Sequence, residues 1–125
     1  PEGEVIANKR LTVAPPPSRS YAYITDTLFR ERFSGYVQGV DLLYHEATYS
    51  KEDEVLARES YHSTAEQAAK LAESAGAKKL LLGHFSARYS DVTELLSEAR
   101  TIFPNTFICS DGDVFEIPAQ KREGY

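Results

Sequence analysis

At 125 residues the chain has room for one domain or a piece of one. Hydrophobic residues make up 42% and charged residues 26%, which points to a packed core and excludes a disordered chain. A net charge of −5 argues against an autonomous nucleic-acid-binding module, yet leaves room for an enzyme whose phosphate grip lies on another segment.

The first nineteen residues read as irregular, with Leu11-Thr12-Val13 a short strand stopped by Pro15-Pro16-Pro17. Ser20 to Ile24 alternates aromatic and small residues, the pattern of a strand, and leads into Thr25-Asp26-Thr27. Phe29, Phe33, Tyr36, Val37 and Val40 share one face of a predicted helix that Gly39 ends. Asp41-Leu42-Leu43-Tyr44 is a short apolar strand running into His45-Glu46-Ala47-Thr48. Ser50 to Ser60 is charged and helical, with Val55 and Leu56 expected to face inward.

After His62, Ser63-Thr64-Ala65-Glu66 has the spacing of a capping box with Ser63 as N-cap. The helix it opens carries Ala65, Ala68, Ala69, Ala72 and Ala75 as a thin face, and Gly76 terminates it. Lys79-Leu80-Leu81-Leu82 is a buried strand ending at Gly83-His84. Another helix begins near Asp91, follows Val92, Leu95, Leu96, Ala99, Ile102 and Phe103, and is closed by Pro104. Two last strands, Thr106 to Cys109 and Val114 to Ile117, are expected to form a hairpin through Asp111-Gly112-Asp113. Residues 119–125 read as a polar tail.

No apolar run approaches the roughly 18–20 residues that cross a bilayer, so no membrane contact is expected. The start has neither a basic n-region nor an apolar h-region, so no signal peptide is expected either. The chain contains no methionine, as expected if it begins inside a longer protein. Its one cysteine, Cys109, suits a reducing compartment and reads as a small buried hydrophobe.

Strands alternating with amphipathic helices imply an α/β layer arrangement, whose ligands collect at strand ends. Asp26, His45 and His84 each stand just past a predicted strand, and His62 just before a helix. Carboxylate oxygen and imidazole nitrogen are the ligands that hydrolytic metal ions take, so Asp26 and His84 are candidate ligands. His62 and Glu46 can form a proton-transfer pair in which the carboxylate orients the imidazole. Each residue also has a plain structural reading: a turn or N-cap aspartate, an exposed glutamate, a histidine at an element boundary.

Four segments carry a resemblance. They are Ser20-Tyr21-Ala22-Tyr23-Ile24-Thr25-Asp26-Thr27, Asp41-Leu42-Leu43-Tyr44-His45-Glu46-Ala47-Thr48, His62-Ser63-Thr64-Ala65-Glu66-Gln67-Ala68-Ala69 and Leu82-Gly83-His84-Phe85-Ser86-Ala87-Arg88-Tyr89. In order and spacing they resemble the C-terminal portion of ribonuclease Z, the tRNA 3′-processing endoribonuclease of the metallo-β-lactamase fold. The resemblance implies an α/β architecture, the C-terminal half of an αββα sandwich, over residues 20–118.

It further implies that Asp26 bridges two zinc ions, that His84 is the last ligand of the second, that His62 protonates the leaving oxygen, and that Glu46 supports His62. His45 matches a motif histidine expected to be structural. Arg88 could contact substrate phosphate, a partner that suits a guanidinium, or form a structural ion pair. The substrate implied is precursor tRNA, cut after the discriminator nucleotide to leave a tRNA 3′-hydroxyl and a trailer 5′-phosphate, in the cytoplasm.

Ile24-Thr25 stands where many members have Cys or Gly, flanking the ligand without replacing it. The family's main metal motif, His-x-His-x-Asp-His, is absent, because all three histidines of the chain are already assigned. The chain by itself is therefore expected to be inactive, to bind zinc weakly or not at all, and to cover its bare sheet surface by forming a homodimer or larger assembly. The alternative is a non-catalytic half-fold that serves assembly.

Overall fold

The computed structural model describes residues 18–118. The proposed strand at Leu11-Thr12-Val13 and the tail from 119 lie outside the described residues. Four parallel strands form one sheet in sequence order: β1 (Tyr21–Ile24), β2 (Leu42–Glu46), β3 (Leu80–Gly83) and β4 (Thr106–Ile108). Between them lie α1 (Phe33–Tyr36), a 3-10 turn (Lys51–Asp53) running into α2 (Glu54–Glu59), then α3 (Ala65–Ala75) and α4 (Thr93–Ile102). None of these helices is long and apolar enough to cross a membrane.

The core lies between one sheet face and the α3–α4 layer. Leu43, Leu80 and Leu82 pack there against Ala65, Ala68, Ala69, Ala72, Leu95 and Ala99. The alanine face of α3 lets its backbone approach the sheet closely. Thr64 opens that helix: its hydroxyl accepts from the Gln67 N–H while the Gln67 side chain accepts from the Thr64 N–H. A cap of this kind contributes about 1 kcal/mol. The box thus sits one residue later than Ser63 and Glu66 predicted, because Ser63 is used elsewhere.

The other sheet face carries Tyr21 and Tyr23, 54% and 59% exposed, on β1, and the partly exposed Phe107 on β4 at the opposite edge. Tyr23 stacks on Tyr44 at a centroid distance of 4.5 Å. Burial, with Tyr23 nearby, pushes the Tyr44 phenol up to about 12.

Several expectations are corrected. The helix drawn through Phe29 to Val40 contracts to the four residues of α1, since Tyr36 is 81% exposed and only Val40 of that set is buried. Val55 and Leu56 face solvent, and Ala57 is the buried residue of α2. β2 runs two residues further than predicted, so His45 lies within the sheet, paired to Ile24 and Leu82. The last hairpin does not form: Asp111-Gly112 makes a turn, but Val114 is 87% exposed and no strand follows among the described residues. Cys109 is half-buried rather than a core residue.

Gly83 ends β3 where a side chain cannot fit. A Cβ there would overlap the Tyr44 hydroxyl and ring carbons Cζ and Cε2. We predict that Gly83→Ala destabilises the fold by about 1–3 kcal/mol through overpacking. Adding Tyr44→Ala recovers part of the loss, whereas Tyr44→Phe recovers little, because the ring carbons remain in the way. Urea unfolding of the three variants checks this.

Candidate active site

The C-terminal ends of β1, β2 and β3, together with the loop into α3, converge at one edge of the sheet. Asp26 follows β1, Glu46 ends β2, Thr48 lies just beyond it, His84 follows β3, and His62 precedes the Thr64 cap. Backbone geometry marks the same places. Among the described residues the non-glycine positions with left-handed φ are Asp26 (52°), Tyr61 (61°) and His84 (60°). Two are candidate ligands and the third directly precedes His62. Such conformations cost on the order of 1–3 kcal/mol for non-glycine residues and persist where the surroundings hold them.

Glu46 is fully buried and is the hub. Its Oε1 accepts from the Thr27 N–H at 2.6 Å. Its Oε2 accepts from the Thr48 hydroxyl at 2.6 Å and the Ser63 N–H at 3.1 Å. His62 Nδ1 lies 3.0 Å from Oε2 and 3.2 Å from Oε1. A carboxylate is acceptor-only, so His62 donates from Nδ1 and turns Nε2 outward. Ser63 is tied a second time, its hydroxyl donating to the Thr27 carbonyl at 2.7 Å. One buried carboxylate thus links the turn holding Asp26, the start of α3 and the end of β2.

Asp26, His62 and His84 form a cluster whose candidate ligand atoms all lie within 4.8 Å of one another. His84 Nε2 is 3.5 Å from Asp26 Oδ1. Two ligands bound about 2.1 Å from one tetrahedral ion stand about 3.4 Å apart. The Asp26–His84 edge has that spacing, and its oxygen and nitrogen donors are the set zinc accepts. The His62 and His84 rings lie 5.2 Å apart. Asp26 and His84 are exposed and His62 is half-buried, so the cluster opens to solvent above a buried base.

His45, by contrast, does not join the cluster. It is fully buried, its Nδ1 donates to the Glu46 carbonyl at 2.7 Å, and its Nε2 has no partner. Burial pushes its imidazole below the ordinary range. Arg88 pairs with Asp53 at 3.6 Å, which accords with the structural ion pair among its two readings. Thr48 and Ser63 are the site residues that sequence reasoning missed. Ser63 carried a signal for capping only, and nothing in the spacing pointed to Thr48.

The model for the family described as "Beta-lactamase superfamily domain" matches residues 8–85, more than half of the chain. The chain belongs to the beta-lactamase superfamily. Among solved members of the metallo-β-lactamase fold, it is similar to the protein YhfI from Bacillus subtilis, with a TM-score of 0.74 and 27% identity over 79% of this chain and 40% of that one. It is also similar to human tRNase Z, short form, with a TM-score of 0.55 and 32% identity over 69% of this chain and 28% of that one. Ribonuclease Z of Bacteroides fragilis is 52% identical over 111 residues, 89% of this chain and 36% of its own length. Ribonuclease Z of Porphyromonas gingivalis is 50% identical over the same shares. This superfamily chain thus spans about a third of the length of the curated relatives it matches. Metal dependence is general in this fold family, and the Asp26–His62–His84 cluster has the donors for it.

Proposed function

We propose that the chain is part of a zinc-dependent endoribonuclease that removes the 3′ trailer from precursor tRNA, as its relatives' name, Ribonuclease Z, suggests. The observation that carries the reading is the Glu46–His62 pair, set at 3.0 Å on a buried base beside the Asp26–His84 edge. Phosphodiester hydrolysis needs an activated water at phosphorus and a proton for the departing oxygen. Asp26 and His84 would hold metal, with further ligands of a two-zinc centre coming from outside these residues. Bound zinc would polarise the phosphoryl oxygens and acidify water.

His62 serves the departure. Its Nδ1 is committed to Glu46, so the mobile proton is carried at Nε2, on the open side. As this water, its proton released to solvent, bonds through oxygen to phosphorus, the bond from phosphorus to the tRNA 3′-oxygen breaks, and that oxygen takes the Nε2 proton. The tRNA keeps a 3′-hydroxyl and the trailer a 5′-phosphate. Glu46 stabilises the charged imidazole until the transfer.

The exposed Tyr21, Tyr23 and Phe107 favour a second element of the reading. An apolar sheet face of this kind is covered by association. In the whole protein that means the missing part of the sandwich, and in the 125-residue chain by itself a homodimer or larger assembly. The same face is the observation that speaks for a non-catalytic assembly module.

The whole protein is expected to cleave a precursor tRNA bearing a 3′ trailer, to stop on chelation and to resume with zinc. The 125-residue chain alone is expected to show no turnover, little zinc by elemental analysis and an assembled mass by light scattering. Turnover by the short chain at the whole protein's rate would refute the proposed division of the site, and a whole protein inert on precursor tRNA would favour the assembly module.

A further inference from the structure

Thr48 lies between the two halves of the site and is itself buried. Its hydroxyl has one proton, and that proton goes to Glu46 Oε2 at 2.6 Å. The same oxygen lies 3.0 Å from His84 Nδ1. With its proton already given to an acceptor-only carboxylate, the hydroxyl can meet His84 only as an acceptor, so His84 donates from Nδ1. In the neutral ring His84 Nε2 is then bare, and it faces Asp26 Oδ1 across 3.5 Å. Two acceptors facing each other at that distance repel unless a proton or a metal cation sits between them, and in the neutral ring that position is open to a metal cation.

We infer that Thr48 is a positioning residue, which relays the buried Glu46 carboxylate to His84 and holds that ring in its Nδ1–H tautomer with Nε2 aimed at the cation position. The inference rests on the reading of Asp26 and His84 as a metal edge. It gives Glu46 two outputs: His62 directly, and His84 through one hydroxyl. The two rings are thereby presented with the same nitrogen outward. A ligating histidine whose other nitrogen is held by a hydrogen bond keeps its tautomer and orientation, and loss of such a partner typically weakens metal binding about 10–100-fold. A free neutral imidazole prefers its proton on Nε2, the nitrogen the metal needs, so the hydroxyl works against the ring's own preference. The Thr48 backbone stays anchored independently, its carbonyl accepting from the Ser86 N–H at 2.9 Å, so removing the hydroxyl leaves the segment in place.

The test uses the whole protein with its histidine rings labelled with nitrogen-15. In the metal-free protein, above the pH range where imidazole protonates, long-range proton–nitrogen correlation spectra report which ring nitrogen carries the proton. A His84 variant identifies the ring. Wild type and Thr48→Ser are expected to show His84 protonated at Nδ1, and Thr48→Val to shift it toward Nε2. Zinc titration should show affinity about 10–100-fold weaker in Thr48→Val and close to wild type in Thr48→Ser. A His84 ring protonated at Nε2 in wild type, or at Nδ1 in Thr48→Val, overturns the role of Thr48. So does a Thr48→Ser variant that loses zinc while Thr48→Val keeps it, since that places the effect in the methyl group. A wild-type protein that takes up no zinc overturns the metal reading instead, and the tautomer still decides on Thr48.

Discussion

His62→Ala in the whole protein is expected to lower cleavage of precursor tRNA by about 10²–10⁴-fold, the usual contribution of a positioned general acid, while zinc content stays near wild type. The first half follows from the leaving group. A ribose 3′-oxygen departs poorly as an alkoxide, and His62 Nε2, turned outward by the Glu46 contact at 3.0 Å, is the group placed to protonate it. The second half separates two roles the cluster allows, because His62 lies with Asp26 and His84 among atoms that could surround one ion. Were His62 a ligand, its loss would strip metal as well. A substrate with a better leaving group sharpens the test. A p-nitrophenyl phosphodiester releases a phenolate that needs no proton, so His62→Ala should retain much of its activity there. Equal losses on both substrates, or loss of zinc, would exclude the proton-donor role.

Much of this site is legible in the chain because strand ends are legible. Lys79-Leu80-Leu81-Leu82 and Ser20 to Ile24 are apolar or alternating runs with clear stops, so Asp26 and His84 fall at the sheet edge by counting. His45 defeats the same count. A histidine and a glutamate after Leu42-Leu43-Tyr44 look like the start of a loop, yet pairing with Ile24, Leu82 and Gly83 carries β2 through Glu46. The ladder on both sides outweighs the polarity of the side chains, and the Glu46 charge is met by four donors once buried. Helix starts are misread for a related reason. Ser63 and Thr64 are equally good caps locally, and the choice falls to Thr64 because Ser63 is claimed by Glu46 and Thr27. The final hairpin fails although β4 is an edge strand: the turn at Asp111-Gly112 specifies only a reversal, and Val114, 87% exposed, finds no apolar surface to hold it against that edge. Thr48 has no local signal at all. Its role depends on two partners, one two residues away and one thirty-six away.

Glu46→Ala is expected to be the most destabilising single change at the site, on the order of 3–5 kcal/mol, the range for removing one member of a buried charged network. The carboxylate is the shared acceptor of the Thr27 and Ser63 amides, the Thr48 hydroxyl and His62 Nδ1. Truncation leaves these donors to whatever water enters, and each one left unmet costs about 1–3 kcal/mol. The damage is also directed. Thr27 is the neighbour of Asp26, which holds a left-handed φ of 52°, so the turn loses one of the two bonds that tie Thr27 to the site. Asp26, His62 and His84 should therefore lose their mutual placement together, and zinc affinity and cleavage should fall in parallel. Glu46→Gln separates charge from size. Its one carbonyl oxygen can serve only one side, and its amide must face an N–H or hydroxyl donor on the other, whichever way it turns. That variant should fold less stably than wild type despite filling the same space. Urea unfolding beside zinc titration checks both variants. A Glu46→Gln protein with unchanged stability and zinc affinity would show that packing at Glu46, and not its four acceptor contacts, organises the site.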